Sequence, residues 1–274
     1  MSVKNSRSFG LLLFSTLAII FGQINFSAAA ALKIMPLGDS ITDGLTYPGG
    51  YRVKLFQNFG SDPNQVVFVG SQNNGHPALP TTPVNEGYHE GHNGFIIKNI
   101  PGSPGLYENI PSWLNNNVNP DIILLMIGIN DVNFNFQVAT APSRLGDLIS
   151  LIANTKPNAA LIVGSITPID DQKNVYRYDS NGNARVNAFN AEIPGLIQYH
   201  HDVLGHNVFF CDINSQLSFS DLSDGLHPNV SGYNKMGDAW YAAIQSIPEP
   251  GTLLLLITGG LSLGAYTLRR CRKL

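Results

Sequence analysis

The stretch PLGDSITDG, residues 36–44, places Ser40 just after the apolar run Leu32–Leu37, where a strand-like segment gives way to a glycine-bearing turn. A serine hydroxyl attacks an ester carbonyl only if a base takes its proton, and an imidazole, which titrates near neutral pH, suits that task. Far along the chain SDGLHPN, residues 223–229, supplies His227 with Asp224 three residues before it. An aspartate so placed would hold the ring tautomer and stabilise the imidazolium formed by proton transfer. Pro228 disfavours helical geometry at His227 and keeps this loop extended. Two other blocks accompany these: EGHNGF, residues 90–95, with Gly94, and MIGIND, residues 126–131, with Asn130 just beyond another apolar run. Taken alone, Ser40 would serve equally well as a helix N-cap.

Such groups need a scaffold to bring them together across the length of the chain. Five continuous apolar runs, Leu32–Leu37, Val66–Val69, Ile122–Ile127, Ala160–Ile166 and Val208–Ile213, read as strands buried on both faces of a parallel sheet. Leu145, Leu148, Ile149 and Ile152 lie at helical spacing, as do Tyr233, Met236, Trp240, Ala243 and Ile247. Alternating strand and helix patterns predict an open α/β sheet covered on both sides. Ligands of such sheets bind at the carboxyl ends of the strands, where Ser40 and Asn130 fall. Residues 75–105, rich in Gly, Pro, Asn and His, form too long a connection to be idle and are expected to be a structured functional loop.

Jointly and in this chain order, the four blocks resemble those of the SGNH, or GDSL, hydrolase superfamily, whose name-giving residues match Ser40, Gly94, Asn130 and His227. The longer strings MPLGDSITDG, GGYR, FVGS, HEGH, PDIILLMIGIND and DGLHPNVSGYNKM are most similar to those of carbohydrate esterases of the acetylxylan-esterase type. The resemblance covers nearly all of residues 32–245. It implies a three-layer α/β/α sandwich with a central five-stranded parallel sheet of flavodoxin-like type. It also implies a serine esterase acting on short acyl esters, acetyl foremost, of polysaccharide, with catalytic Ser40, Asp224 and His227 and no metal or cofactor. The oxyanion of the tetrahedral intermediate would be met by the backbone N–H groups of Ser40 and Gly94 and the side-chain amide of Asn130, with glycine letting the backbone come close. Phe95 stands where these enzymes often carry tryptophan and Ile129 where threonine is common. A lipase or thioesterase of the same superfamily, and a non-catalytic matrix carbohydrate-binding protein, are the alternatives.

The two ends read as sorting signals. Lys4 and Arg7 precede an apolar run, Phe9–Phe21, and the small residues Ser27–Ala30, the pattern of a signal peptide over residues 1–30. Residues 248–274, PEPGTLLLLITGGLSLGAYTLRRCRKL, resemble a PEP-CTERM tail, which implies transient membrane anchoring, an exosortase-type processing protease as partner and an extracellular or cell-surface destination. Between them, residues 31–247 are expected to form one domain, with ten Lys and Arg against eighteen Asp and Glu. That acidic balance lacks the footprint of a nucleic-acid binder. Cys211 lies in the apolar run VFFCDI and Cys271 in the tail, so a disulfide between them is not expected and Cys211 reads as a buried small hydrophobe. His89, Glu90 and His92 are read as loop-structuring rather than metal-binding, and DSNGN, residues 179–183, as a turn because its glycine is misplaced for a calcium loop. Asp39 and Asp131 are expected to support turns beside the site, and Arg52 either to meet substrate or to anchor the first helix.

Overall fold

The computed structural model describes residues 30–74, 76, 79, 88–115 and 119–248; the signal-peptide and sorting-tail readings fall almost wholly outside them. The five apolar runs become β1 (Leu32–Gly38), β2 (Val66–Phe68), β4 (Ile122–Met126), β5 (Ala160–Gly164) and β6 (Val208–Cys211). A two-residue β3, Glu90–Gly91, is added to them. Its polar sequence gives no strand pattern, and it exists because Leu37 and Gly38 pair with it beyond the end of β2. The fourth and fifth runs pair only as far as Gly164 and Cys211, two residues short of their apolar ends.

All pairings are parallel, in the order β2-β1-β4-β5-β6. Every residue of β4 and β5 is buried, which requires helices on both faces of the sheet. Those helices are α1 (Ser40–Asp43), α2 (Tyr51–Asn58), α3 (Leu106–Asn115), α4 (Ile129–Asn133), α5 (Ala141–Thr155), α6 (Gly182–Gln198) and α7 (Val230–Gln245). In α5, Leu145, Leu148, Ile149 and Ile152 all face the core. In α7, Tyr233, Met236 and Trp240 do so, but the stripe then passes to Ile244, and Ile247 lies beyond the helix end. Cys211 is a free, buried thiol, and burial pushes its pKa up to about 12.

With the short β3 set aside, this is the flavodoxin-like strand order, and its topological switch point lies between β1 and β4. Ser40 follows β1 and Asn130 follows β4, so both belong to that crevice. At the opposite edge of the sheet, Leu32, Ile122, Ala160 and Asn207, which begin or precede strands, line an open depression of about 590 Å³ together with Ile247 and Pro248.

Candidate functional site

Gly38 ends β1 where the backbone of β4 passes close by: a Cβ there would lie 2.3 Å from Met126 O and 2.5 Å from Thr42 Oγ1. Only glycine allows α1 to start so near the sheet. Asp39 is the N-cap of α1, its Oδ1 accepting from Ile41 N at 3.0 Å. Ser40 is thus the first residue of the helix and not its cap, and its hydroxyl is left to another partner. That partner is His227, whose Nε2 lies 3.0 Å from Ser40 Oγ.

The His227 loop is held from several sides. Nδ1 of His227 is 2.8 Å from Asp224 Oδ2, while Asp224 Oδ1 accepts from the backbone N–H groups of His227 and Leu226 at 2.7 and 3.0 Å. Burial opposes the charge on Asp224, but these donors outweigh it and hold the carboxyl below its ordinary pKa. With the Nδ1 proton directed at a carboxylate, Nε2 carries the lone pair that faces Ser40. Pro228 bridges to Leu222, and Asn229 caps α7 by accepting from Gly232 N at 3.1 Å. Contrary to the extended loop expected from Pro228, residues 223–227 form a tight turn closed by Ser223 N donating to His227 O at 2.8 Å, with Gly225 at φ +87°; extended backbone is taken up at Asn229, just before α7. Ser40 and His227 are each only 5% exposed.

Asn130 lies on α4, whose N-cap is Gly128. One of its amide N–H groups donates to Phe95 O at 2.8 Å; the second remains available as a donor. Its neighbour Asp131 ties down the same loop, with Oδ2 accepting from Ile97 N at 3.1 Å and Oδ1 paired with Arg144 on α5 at 2.7 Å. The turn that carries Gly94 is also anchored to β1, since His92 N donates to Gly38 O at 3.0 Å. Gly94 itself has φ +77° and no atom within 4 Å of a notional Cβ. That backbone sign is itself a reason for glycine at this position.

Beneath the serine, Asp39 and Asp131 are nearly fully buried. Burial, with a smaller push from the charge of Asp131, raises the Asp39 pKa to about 7; burial raises Asp131 to about 6 against the pull of Arg144. Arg52 is fully buried and so does not meet substrate. Its guanidinium donates to Thr42 O, to Asp43 O at 3.2 Å and to Asn74 Oδ1 at 2.6 Å, capping the carboxyl end of α1. His89 Nδ1 accepts from Gly91 N at 2.9 Å, and burial pulls its pKa down to about 2. Glu90 accepts from Ser71 N and Oγ at 2.6 and 2.9 Å and pairs with His92 at 2.9 Å. In the DSNGN turn Asp179 accepts from Asn181 N at 2.8 Å.

A serine, an imidazole and a carboxylate hydrogen-bonded in series at the switch point of an α/β sheet is an arrangement suited to acyl transfer. The sequence also matches the model of the GDSL-like lipase/acylhydrolase family over residues 37–235. The chain belongs to that family. Among curated proteins this chain is 34% identical over 232 residues to a multidomain esterase of Ruminococcus flavefaciens, covering 80% of this chain and 29% of that protein. It thus spans less than a third of the length of that relative. Among solved structures it is similar to a family 3 carbohydrate esterase of Clostridium thermocellum, with 32% identity, TM-score 0.63 and coverage of 79% of this chain and 96% of the other. A family 3 carbohydrate esterase of Talaromyces cellulolyticus follows, with 27% identity, TM-score 0.62 and coverage of 79% and 98%.

Several groups that build the candidate site gave no signal in the sequence. Arg144 pairs with Asp131 from thirteen residues away, and the fully buried Asn133 and Asn174 join across 41 residues at 2.7 Å. The spacing of Arg144 and Asp131 fits no single helix, and asparagine is too common in turns for a distant pair to stand out.

Proposed function

We propose that this protein is an exported serine esterase that removes short acyl groups, acetyl foremost, from polysaccharide. The observation that carries the reading is the unbroken relay from Ser40 Oγ through His227 to Asp224, at 3.0 and 2.8 Å. Ser40 Oγ forms a bond to the ester carbonyl carbon as its proton passes to His227 Nε2. The negative oxygen faces the free amide N–H of Asn130 and the backbone N–H groups of Gly94 and Ser40, the last in a first helical turn without an intrahelical partner. Collapse breaks the bond to the alcohol, which takes the proton from Nε2. Water, deprotonated by the same nitrogen, then releases the acid from Ser40 and restores the serine.

The carbohydrate esterases among its structural relatives support the polysaccharide ester as substrate class. The short acyl group is supported by the composition of residues 75–105, rich in Gly, Pro, Asn and His: a long chain would need an apolar groove burying about 0.8 kcal/mol per methylene. The apolar Leu79 of the long loop is instead buried within the hydrophobic core. The test is a substrate set. The wild-type domain is expected to hydrolyse p-nitrophenyl acetate at least about tenfold faster than the octanoate, equivalent to ~1.4 kcal/mol in transition-state binding, and to release acetate from acetylated xylan or a comparable polymer. Ser40→Ala should do neither and should resist a serine-directed fluorophosphonate. Preference for octanoate with no acetate from any polymer would favour a lipid hydrolase, and near-wild-type turnover by Ser40→Ala would sink the mechanism.

The proposed route comprises a signal peptide over residues 1–30, a catalytic domain over 31–247 and a PEP-CTERM tail over 248–274, with an exosortase-type protease as processing partner. Mass spectrometry of the cell-surface protein should find nothing beyond about residue 250; an intact Arg269–Lys273 terminus would mean a permanent anchor.

A further inference from the structure

Between β5 and α6 the chain passes over the His227 loop, where Asp170 N donates to Gly225 O at 2.8 Å. The segment is pinned at Asn174, which is fully buried, donates to Asn133 Oδ1 at 2.7 Å and accepts from Tyr176 N at 2.9 Å. Tyr176 O in turn accepts from Asn133 Nδ2 at 3.2 Å. Both backbone polar groups of Tyr176 are therefore tied to buried asparagines, yet its side chain faces outward: Tyr176 is 48% exposed, with Val175 at 78% and Tyr178 at 66%. The Tyr176 ring stands at 82° to the His227 imidazole, their centroids 5.8 Å apart.

The aromatic groups on the Gly94 side are arranged differently. His92 stacks on Trp113 at 4.0 Å and 6°, packs on Phe95 at 4.9 Å, and is fixed by Glu90. Those rings satisfy one another and form a closed wall. Tyr176 and Tyr178 instead offer apolar area to solvent from a rigid backbone. A scattered exposed apolar residue needs no explanation, but one held in place against a catalytic base does.

The stereochemistry of acyl transfer says what belongs there. The proton taken from Ser40 is returned by the same His227 Nε2 to the departing oxygen, so that oxygen lies within hydrogen-bond reach of Nε2. The alcohol half of the ester is thus on the His227 side of the site, away from the Asn130 and Gly94 donors. Tyr176 borders that position. Pyranose rings pack their C–H faces on aromatic rings while their hydroxyls stay wet, and a tyrosine gives large contact area at low entropic cost. On the same loop Asp171, Gln172, Arg177 and Ser180 line an open polar depression of about 490 Å³, suited to hydroxyl groups farther along a polymer.

We propose that Tyr176, with Tyr178 beside it, is a stacking subsite for the sugar ring that bears the ester, so that the enzyme selects the alcohol as well as the acyl group. This assignment rests on the polysaccharide-ester reading above. The test compares acetylated xylo-oligosaccharide with ethyl acetate, whose alcohol is too small to reach the platform. In Tyr176→Ala, kcat/KM on the oligosaccharide should fall at least about tenfold more than on ethyl acetate, chiefly through KM, and Tyr176→Trp should restore it. Equal losses on both esters would make Tyr176 a support for His227 alone and overturn the subsite, as would an unchanged oligosaccharide KM. If the wild type cleaves ethyl acetate but releases acetate from no sugar ester, the polysaccharide reading falls and the subsite with it; if the wild type deacetylates the oligosaccharide and only the variant ratio fails, the subsite falls alone.

Discussion

Asn130 has two amide N–H groups and donates one of them to Phe95 O, so a single side chain fixes the loop that carries Gly94 and, in the proposed mechanism, presents a donor to the reacting centre. Asn130→Ala removes both functions. Loss of one oxyanion donor costs on the order of 10² to 10³ in kcat, whereas loss of the loop bond costs about 1 kcal/mol of stability. The expected result is therefore a large fall in kcat with a small shift of the urea midpoint; a large fall in stability with kcat intact would reassign Asn130 to the scaffold. The four blocks around Ser40, Gly94, Asn130 and Asp224–His227 were legible because each is a compact string whose chemistry has few other uses. Tyr176 was not, since a tyrosine in a polar loop has no local pattern and is singled out only by the imidazole beside it. The positive φ of Gly94 was not legible either, because a backbone sign leaves no mark on residue spacing.

Among the elements, α1 is the least able to stand alone: four residues cannot repay the cost of helix nucleation. Asp39 closes its front, and the buried Arg52 holds its last carbonyls. Burial lowers the Arg52 pKa to about 10, yet the group remains a cation at neutral pH. Lysine cannot fork between Thr42 O, Asp43 O and Asn74. Arg52→Lys should cost about 2 kcal/mol through the hydrogen bonds it cannot replace and reduce kcat by loosening Ser40, measured by denaturant unfolding and by turnover on p-nitrophenyl acetate. Unchanged kcat in the folded variant would uncouple the cap from the nucleophile. The five principal strands were legible because parallel strands buried on both faces must be continuously apolar. α6 left a weaker trace, Val186, Phe189, Ile193 and Ile197 at helical intervals, and α4 left none because a five-residue helix is shorter than the pattern that would reveal it.

For the whole molecule, the buried neutral His89 links stability to pH. Its folded pKa, about 2, lies below the ordinary value of 6.5. Its contribution is therefore complete above pH 6.5 and is lost as the pH falls below that value, where only the unfolded chain takes up the proton. At pH 5 the deficit is about 2 kcal/mol. His89→Gln, which keeps an acceptor for Gly91 N, should lose about that much less stability than the wild type between pH 7 and pH 5 in urea titrations. Equal losses would show that His89 is protonated within the fold. Asp39 acts in the opposite sense, since its raised pKa favours the folded state on acidification, so it is the difference between wild type and variant that isolates His89.

The depression at the amino ends of the strands brings Leu32 and Pro248 to one pole, while Ser40, Asn130 and His227 follow carboxyl ends at the other. The seven residues of β1, at about 3.3 Å each, separate the two poles by roughly 23 Å. A bead, a surface or a fusion partner joined through either end of residues 31–248 therefore occupies the base of the molecule and leaves the mouth open. An immobilised preparation linked in this way should meet a large insoluble polymer as readily as a small ester, whereas one linked through the outward face at Tyr178 would retain only the small one.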